Sequence, residues 1–134
     1  MDNLKVAEIF NKIADLLELK GESIFRIRAY RRAALNIENL SEDLSDIAKK
    51  NELTKISGIG ADLKDKILKF LKSGKIDLYE ELIKTTPVVL LDLMAIQGIG
   101  PKRAQLLYKK LNIKSVGDLE KKIKEKTLEI YENL

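Results

Sequence analysis

Two short segments, forty residues apart, hold the residues best suited to chemistry. Leu53-Thr54-Lys55-Ile56-Ser57-Gly58-Ile59-Gly60 runs into Ala61-Asp62-Leu63-Lys64-Asp65-Lys66-Ile67, and Leu93-Met94-Ala95-Ile96-Gln97-Gly98-Ile99-Gly100 runs into Pro101-Lys102-Arg103-Ala104-Gln105-Leu106-Leu107. Each sets a hydrophobic-Gly-hydrophobic-Gly turn at the mouth of a helix bearing lysine or arginine. Glycine lets the backbone take φ > 0 and approach a ligand closely, and a helix N-terminus offers free N–H groups at the positive end of the helix dipole. Such a turn can hold a phosphate. Gly58, Gly60, Gly98 and Gly100, with Lys64, Lys102 and Arg103 beside them, are therefore candidate contacts. A lone Gly-x-Gly between helices is often only a tight corner. Repetition argues for binding: both copies place isoleucine between the glycines and an aliphatic residue two positions before the first. Neither is a dinucleotide fingerprint or a P-loop, because the third glycine, the Gly-Lys-Ser/Thr ending and the preceding strand are missing.

Composition narrows the classes of function. The 134 residues suffice for one domain or two very small ones. Cysteine and histidine are both absent, which excludes a disulfide framework, thiolate or imidazole metal sites and histidine acid–base catalysis. The longest apolar run, Val88–Leu91 resuming at Leu93, is too short to span a membrane. No basic-then-apolar leader pattern opens the chain, so a cytoplasmic location is expected. The net charge is only +4, but it is unevenly spread. Arg26, Arg28, Arg31 and Arg32 fall within seven residues without an acid, while acids collect at 38–46 and 77–81. A local basic patch on a nearly neutral protein suits a defined anionic track.

The elements that must position these groups read as helices throughout, so the expected fold class is all-α. Val6, Ile9, Phe10, Ile13, Leu16 and Leu17 make one apolar stripe closed by Gly21. Ile27, Tyr30, Ala34 and Ile37 mark a second helix, with Arg28 and Arg32 on one face and Arg31 beside them. Ser41 is placed as the N-cap of a short helix through Leu44 and Ile47 that stops at Asn51. Leu63, Ile67, Phe70 and Leu71 line the helix after the first glycine turn, which ends at Gly74. Residues 77–84 form another helix, and Thr85-Thr86-Pro87 is the clearest linker. Pro101 suits a first helical turn, and Ser115 caps the last amphipathic stretch. Two units follow, residues 1–84 and 88–134, each carrying one glycine turn.

With these elements in place, Gly21-Glu22-Ser23-Ile24-Phe25-Arg26-Ile27-Arg28-Ala29-Tyr30-Arg31-Arg32-Ala33-Ala34, followed by Ile56-Ser57-Gly58-Ile59-Gly60 and Gln97-Gly98-Ile99-Gly100-Pro101, resembles the N-terminal part of family X DNA polymerases. The likeness covers about residues 1–120. It is nearest to bacterial and archaeal members and is similar also to DNA polymerase beta. It implies a lyase-like helical domain with a first helix-hairpin-helix, then a second helix-hairpin-helix unit. It implies sequence-independent binding of gapped or nicked DNA in base-excision repair, by a monomer. It places Lys66 at the Schiff-base lysine of 5′-deoxyribose phosphate removal, Tyr30 at a pocket aromatic, and Arg26 and Lys55 at basic contacts to DNA. It also places the carbonyls of Thr54, Ile56 and Ile59, and of Met94, Ile96 and Ile99, where Na⁺ or K⁺ bridges to phosphate. Two positions depart from the pattern. Asp62 stands in place of a phosphate-binding lysine, which weakens 5′-phosphate capture, and Phe25 replaces a polar residue.

The residues themselves are permissive about Lys66. It falls at the edge of the Leu63–Ile67–Phe70 stripe, and both Asp62 and Asp65 favour its charged form. The family's polymerase centre needs a carboxylate trio on a mixed α/β palm, and this chain has neither the strands nor the length. The resemblance therefore implies an excised N-terminal region or a stand-alone DNA-binding relative. Three functions stay open: a DNA-binding module, a β-elimination lyase using Lys66, or a helical scaffold whose turns are only corners.

Overall fold

The computed structural model describes residues 2–133, and among them there are only helices and connecting turns. In chain order these are α1 (Asn3–Leu19), α2 (Ile24–Glu38), α3 (Leu44–Lys49), a 3₁₀ turn (Leu53–Lys55), α4 (Ala61–Ser73), α5 (Asp77–Lys84), α6 (Val88–Met94), α7 (Pro101–Lys110) and α8 (Val116–Glu132). The contacts divide the chain into two compact units, Met1–Thr85 and Thr86–Leu134.

The first unit is built on α1 and α2, the most extensively packed pair of helices. The chain leaves α1 through Gly21, whose N–H bonds to the Glu18 carbonyl, while that of Glu22 bonds to the Leu17 carbonyl. These are the paired bonds of a Schellman turn, and they satisfy carbonyls that the helix end would otherwise orphan. The interface is filled by Val6, Phe10, Ile13 and Leu17 from α1 and by Ile27, Tyr30 and Ile37 from α2, all buried. Ala7, Ala14, Ala33 and Ala34 are fully buried as well, and their small side chains let the two backbones approach. Phe10 and Tyr30 meet edge to face with centroids 5.5 Å apart, the arrangement that the ring quadrupoles favour. Ile67 and Phe70 of α4, and Ile76 at the entry to α5, are buried as well. Lys20 Nζ donates to Thr85 Oγ1 at 2.6 Å, tying the end of the unit back to α1.

The start of α3 corrects one expectation. Its N-cap is Asp43, whose Oδ1 accepts from the Ser45 N–H at 3.1 Å, and Ser41 lies in the bend before it. The register follows from burial. Leu44 must be inside, so the helix begins there and the residue just before it takes the cap. A second side chain secures this corner. Asn3 is buried, donates to the Glu42 carbonyl and accepts from the Leu44 N–H, both at 2.9 Å.

The second unit is smaller. Leu90 and Leu93 of α6, Ala104 of α7 and Ile113 after it form its buried centre. Among the described residues no helix is long and apolar enough to cross a membrane.

Replacing Asn3 by leucine keeps the branched outline of the side chain but strands a part-buried carbonyl and a buried N–H at once. The variant is expected to lose about 1–3 kcal/mol in urea unfolding. Asn3→Asp retains the acceptor for Leu44 and should lose less. Equal stability of Asn3→Leu and wild type would show that the α1–α3 corner is not held by this side chain.

Candidate nucleic-acid interface

The two glycine turns are copies of one another in backbone detail. In the first, the Ile56 N–H bonds to the Leu53 carbonyl at 3.1 Å, Ile59 to Ile56 at 3.0 Å, and Lys64 to Gly60 at 2.9 Å. In the second, Ile96 bonds to Leu93 at 3.1 Å, Ile99 to Ile96 at 3.1 Å, and Ala104 to Gly100 at 2.9 Å. Gly58 and Gly98 have φ of 86° and 88°. With a hydrogen bond closing residues 56–59 and 96–99, and positive φ confined to the third residue, both are type II turns, which demand glycine there.

Gly60 and Gly100 differ from their partners. They are the N-caps of α4 and α7, with extended φ and ψ of −93° and −169°, and −90° and −172°. Any residue adopts that backbone, and a Cβ built on either glycine meets nothing within 4 Å. No side chain caps either helix. The first-turn N–H groups of α4 and α7 therefore have no capping side chain at the positive ends of the two helices. The turn into α8 is the contrast. There Ser115 Oγ accepts from the Asp118 N–H at 3.0 Å, and Asp118 Oδ2 accepts from the Lys114 N–H at 3.1 Å. That helix start is closed by its own side chains.

The arginines of α2 separate by direction, as successive helical residues must. Arg31, grouped with Arg28 by the sequence, turns to α1, where its Nη2 lies 2.8 Å from Asp15 Oδ1. Arg28 is exposed. Arg32 reaches the first glycine turn, with Nη2 3.3 Å from Ser57 Oγ. One turn further, Asn36 Nδ2 donates to the Ser57 carbonyl at 2.6 Å. The sequence marks Arg32 as part of its basic patch, whereas Asn36 is not marked by any motif. Their i, i+4, i+8 spacing with Arg28 was the available signal. Lys55 is exposed and 3.4 Å from Glu52, and Lys64 is half-buried on α4. In the second turn Arg103 folds back, its Nη1 donating to the Gly98 carbonyl at 2.6 Å. Lys102 stays exposed.

Lys66 lies in a separate cluster with Asp62, Tyr30 and Arg26. Its side chain is only 18% exposed, and Nζ donates to Asp62 Oδ1 at 2.7 Å. Burial works to lower the Lys66 pKa, but the Asp62 hydrogen bond and charge, helped by Tyr30, outweigh it, so the net displacement is upward from 10.5. The Tyr30 hydroxyl is buried without a hydrogen bond, and burial raises its pKa despite the nearby ammonium. Arg26 is half-exposed, with Glu22 3.9 Å away. Phe25 stands 79% exposed beside it. The amine is thus largely shielded and hydrogen-bonded to a carboxylate that favours its charged form.

The carbonyl oxygens offered to a cation are all neutral backbone groups. Those of Ile56 and Ile96 each accept one N–H and keep a second lone pair, while those of Thr54 and Met94 accept none among the described residues. Uncharged oxygens without a carboxylate among them fit a monovalent ion. No cluster of three or more acidic, histidine or cysteine side chains is found among the described residues.

The displacement of Lys66 sets a pH window. A lysine raised on folding contributes stability that is complete below 10.5 and is lost as pH climbs through its folded value. Asp62→Asn should lower the Lys66 titration midpoint seen by NMR. Below pH 10.5 it should reduce stability by roughly 0.2–1 kcal/mol, the scale of an exposed ion pair. That deficit should close above pH 10.5. An unchanged midpoint would mean that Asp62 does not hold the proton on Lys66.

Comparison with known proteins agrees with this geometry. Residues 1–76 match the family described as helix-hairpin-helix domain, and residues 90–130 match the SAM-like helix-hairpin-helix tandem. The chain is 30% identical over 120 residues to the DNA polymerase/3′-5′ exonuclease PolX of Bacillus subtilis (strain 168). That stretch is 90% of this chain and 20% of the relative, so the chain spans about a fifth of that protein's length. With more than half of its residues matched and the two turns identical in backbone detail, the chain belongs to the helix-hairpin-helix domain family.

Proposed function

We propose that this chain is a sequence-independent DNA-binding module that takes backbone phosphates at both glycine turns, with gapped or nicked duplex as its preferred partner and repair synthesis by a family X polymerase as its setting. One observation carries the reading. Gly60 and Gly100 are not required by the fold, since their backbone is extended and the space around them is open, yet they leave two helix N-termini uncapped. A phosphate oxygen explains both features, because it needs close approach and unsatisfied N–H donors. The exposed cations Lys55 and Lys102 flank the two turns, and Arg32 reaches the first. Contacts of this kind recognise the sugar-phosphate chain and carry no base information. Na⁺ or K⁺ bound by the carbonyls of Thr54, Ile56 and Ile59, or of Met94, Ile96 and Ile99, would offset phosphate charge at each turn.

Gly60→Ser and Gly100→Ser separate binding from folding. Serine is a preferred N-cap, so each variant should match or exceed wild-type stability by a few tenths of a kcal/mol. Its hydroxyl then occupies the N–H groups meant for phosphate, so DNA affinity should fall. For wild type, about four to six neutralised phosphates predict a log–log salt slope of roughly −0.9 per contact, the same for unrelated sequences. Undiminished binding by both serine variants, or a flat salt response, would leave the turns as corners of a scaffold.

A second reading, lyase chemistry, is favoured by the shielded Lys66 amine beside Tyr30. Its neutral form would attack C1′ of an abasic or deoxyribose-phosphate end, give an imine with loss of water, and allow β-elimination of the 3′ phosphate. The Asp62 hydrogen bond opposes this by keeping the amine charged. Borohydride trapping should therefore be weak in wild type, stronger in Asp62→Asn or Asp62→Lys, and absent in Lys66→Ala. An adduct that persists in Lys66→Ala would assign the reaction to another lysine.

A further inference from the structure

The first glycine turn depends on a residue outside it. In a type II turn the central peptide is flipped relative to type I, and the direction of that one peptide sets which groups the turn presents. Here the central peptide joins Ser57 to Gly58. Its carbonyl is held by Asn36 Nδ2 at 2.6 Å, and Arg32 holds the Ser57 hydroxyl at 3.3 Å. The space beside Gly58 is also taken by these two side chains, with Asn36 Nδ2 at 3.4 Å and Arg32 Cγ at 3.6 Å from a built Cβ.

The second turn has no such brace. The carbonyl of Gln97, which corresponds to Ser57, accepts no hydrogen bond among the described residues, and the nearest support is Arg103 on the Gly98 carbonyl. The two turns share one backbone but are maintained differently.

We propose that Asn36 is a positioning residue for the first phosphate site. In a trans peptide the C=O and N–H point in opposite directions. Pinning the Ser57 carbonyl against α2 therefore turns the Gly58 N–H away from α2, onto the exposed side of the turn. Without the amide, the central peptide is free to rotate, and the Gly58 donor and the approach to the α4 N-terminus lose their fixed direction. Arg32 supports the same peptide through Ser57 and adds positive charge beside it. This inference rests on the reading of the turns as phosphate sites, and Asn36 itself need not touch DNA.

Asn36→Leu, which keeps the branched outline of the side chain and removes the donor, tests it. The variant should bind DNA about two- to tenfold more weakly, with a salt slope reduced by roughly one contact. In the free protein the Gly58 amide resonance should move, and Asn36→Gln should restore part of both effects. If the leucine variant does not fold, Asn36→Ser is read by the same measurements. Gly100→Ser and Lys102→Ala, in the other unit, are the controls. If these weaken binding while Asn36→Leu binds like wild type, or binds weakly with the Gly58 resonance unmoved, the positioning role is wrong and the phosphate reading stands. If no variant in either turn weakens binding, the phosphate reading itself fails.

Discussion

Every α-helix begins with N–H groups that it cannot satisfy from within, and the architecture of this protein turns on how each helix meets that constraint. At α2, α3 and α8 the chain supplies its own oxygen, from Ser23, Asp43 and Ser115. At α1, α4, α5, α6 and α7 no side chain caps the start, and of these only α4 and α7 have a glycine at the cap. Those two helix starts are reached through type II turns that only glycine at Gly58 and Gly98 allows without strain. The packed pair α1–α2 then serves as the frame on which the first of these open ends is displayed.

Helix α2 shows how one element serves several purposes at once. Its apolar side joins α1 through Ile27, Tyr30, Ala34 and Ile37. Arg31 fixes the seam by pairing with Asp15, at the small gain expected of a half-exposed ion pair. Arg26 lies near Glu22, Tyr30 is close to Lys66, and Arg32 with Asn36 looks toward Ser57. About 100° separates neighbouring residues on a helix, so a run of arginines that reads as one basic patch is divided among three environments. Similar chemistry in the chain becomes different chemistry in space.

The cluster around Lys66 shows competing electrostatic effects resolved by one carboxylate. Burial alone would ease deprotonation of the amine. Asp62, one turn earlier on α4, reverses the sign through a short hydrogen bond. In the second turn the corresponding position is Lys102, so two turns with the same backbone carry opposite charge at the second residue of the following helix. The charge beside the two loops therefore differs even though their backbones match.

The sequence by itself determined the helical class, because hydrophobic spacing of three and four residues is a local property and survives without knowledge of the fold. It also determined both glycine turns, since positive φ at Gly58 and Gly98 restricts residue type at the position itself. The opposition between Lys66 and Asp62 was legible for the same reason, as partners four residues apart on a helix are neighbours in any fold. Tertiary structure decided the rest. The cap of α3 moved from Ser41 to Asp43 because burial of Leu44 set the helix start. Asn3 joined α1 to the start of α3, forty residues on, and no local pattern signals a contact at that separation. Arg31 was drawn to Asp15, and Asn36 was brought onto Ser57, for the same reason. A polar side chain on a helix states what it can bond to, but only the packing of that helix against the others settles which partner lies within 3 Å.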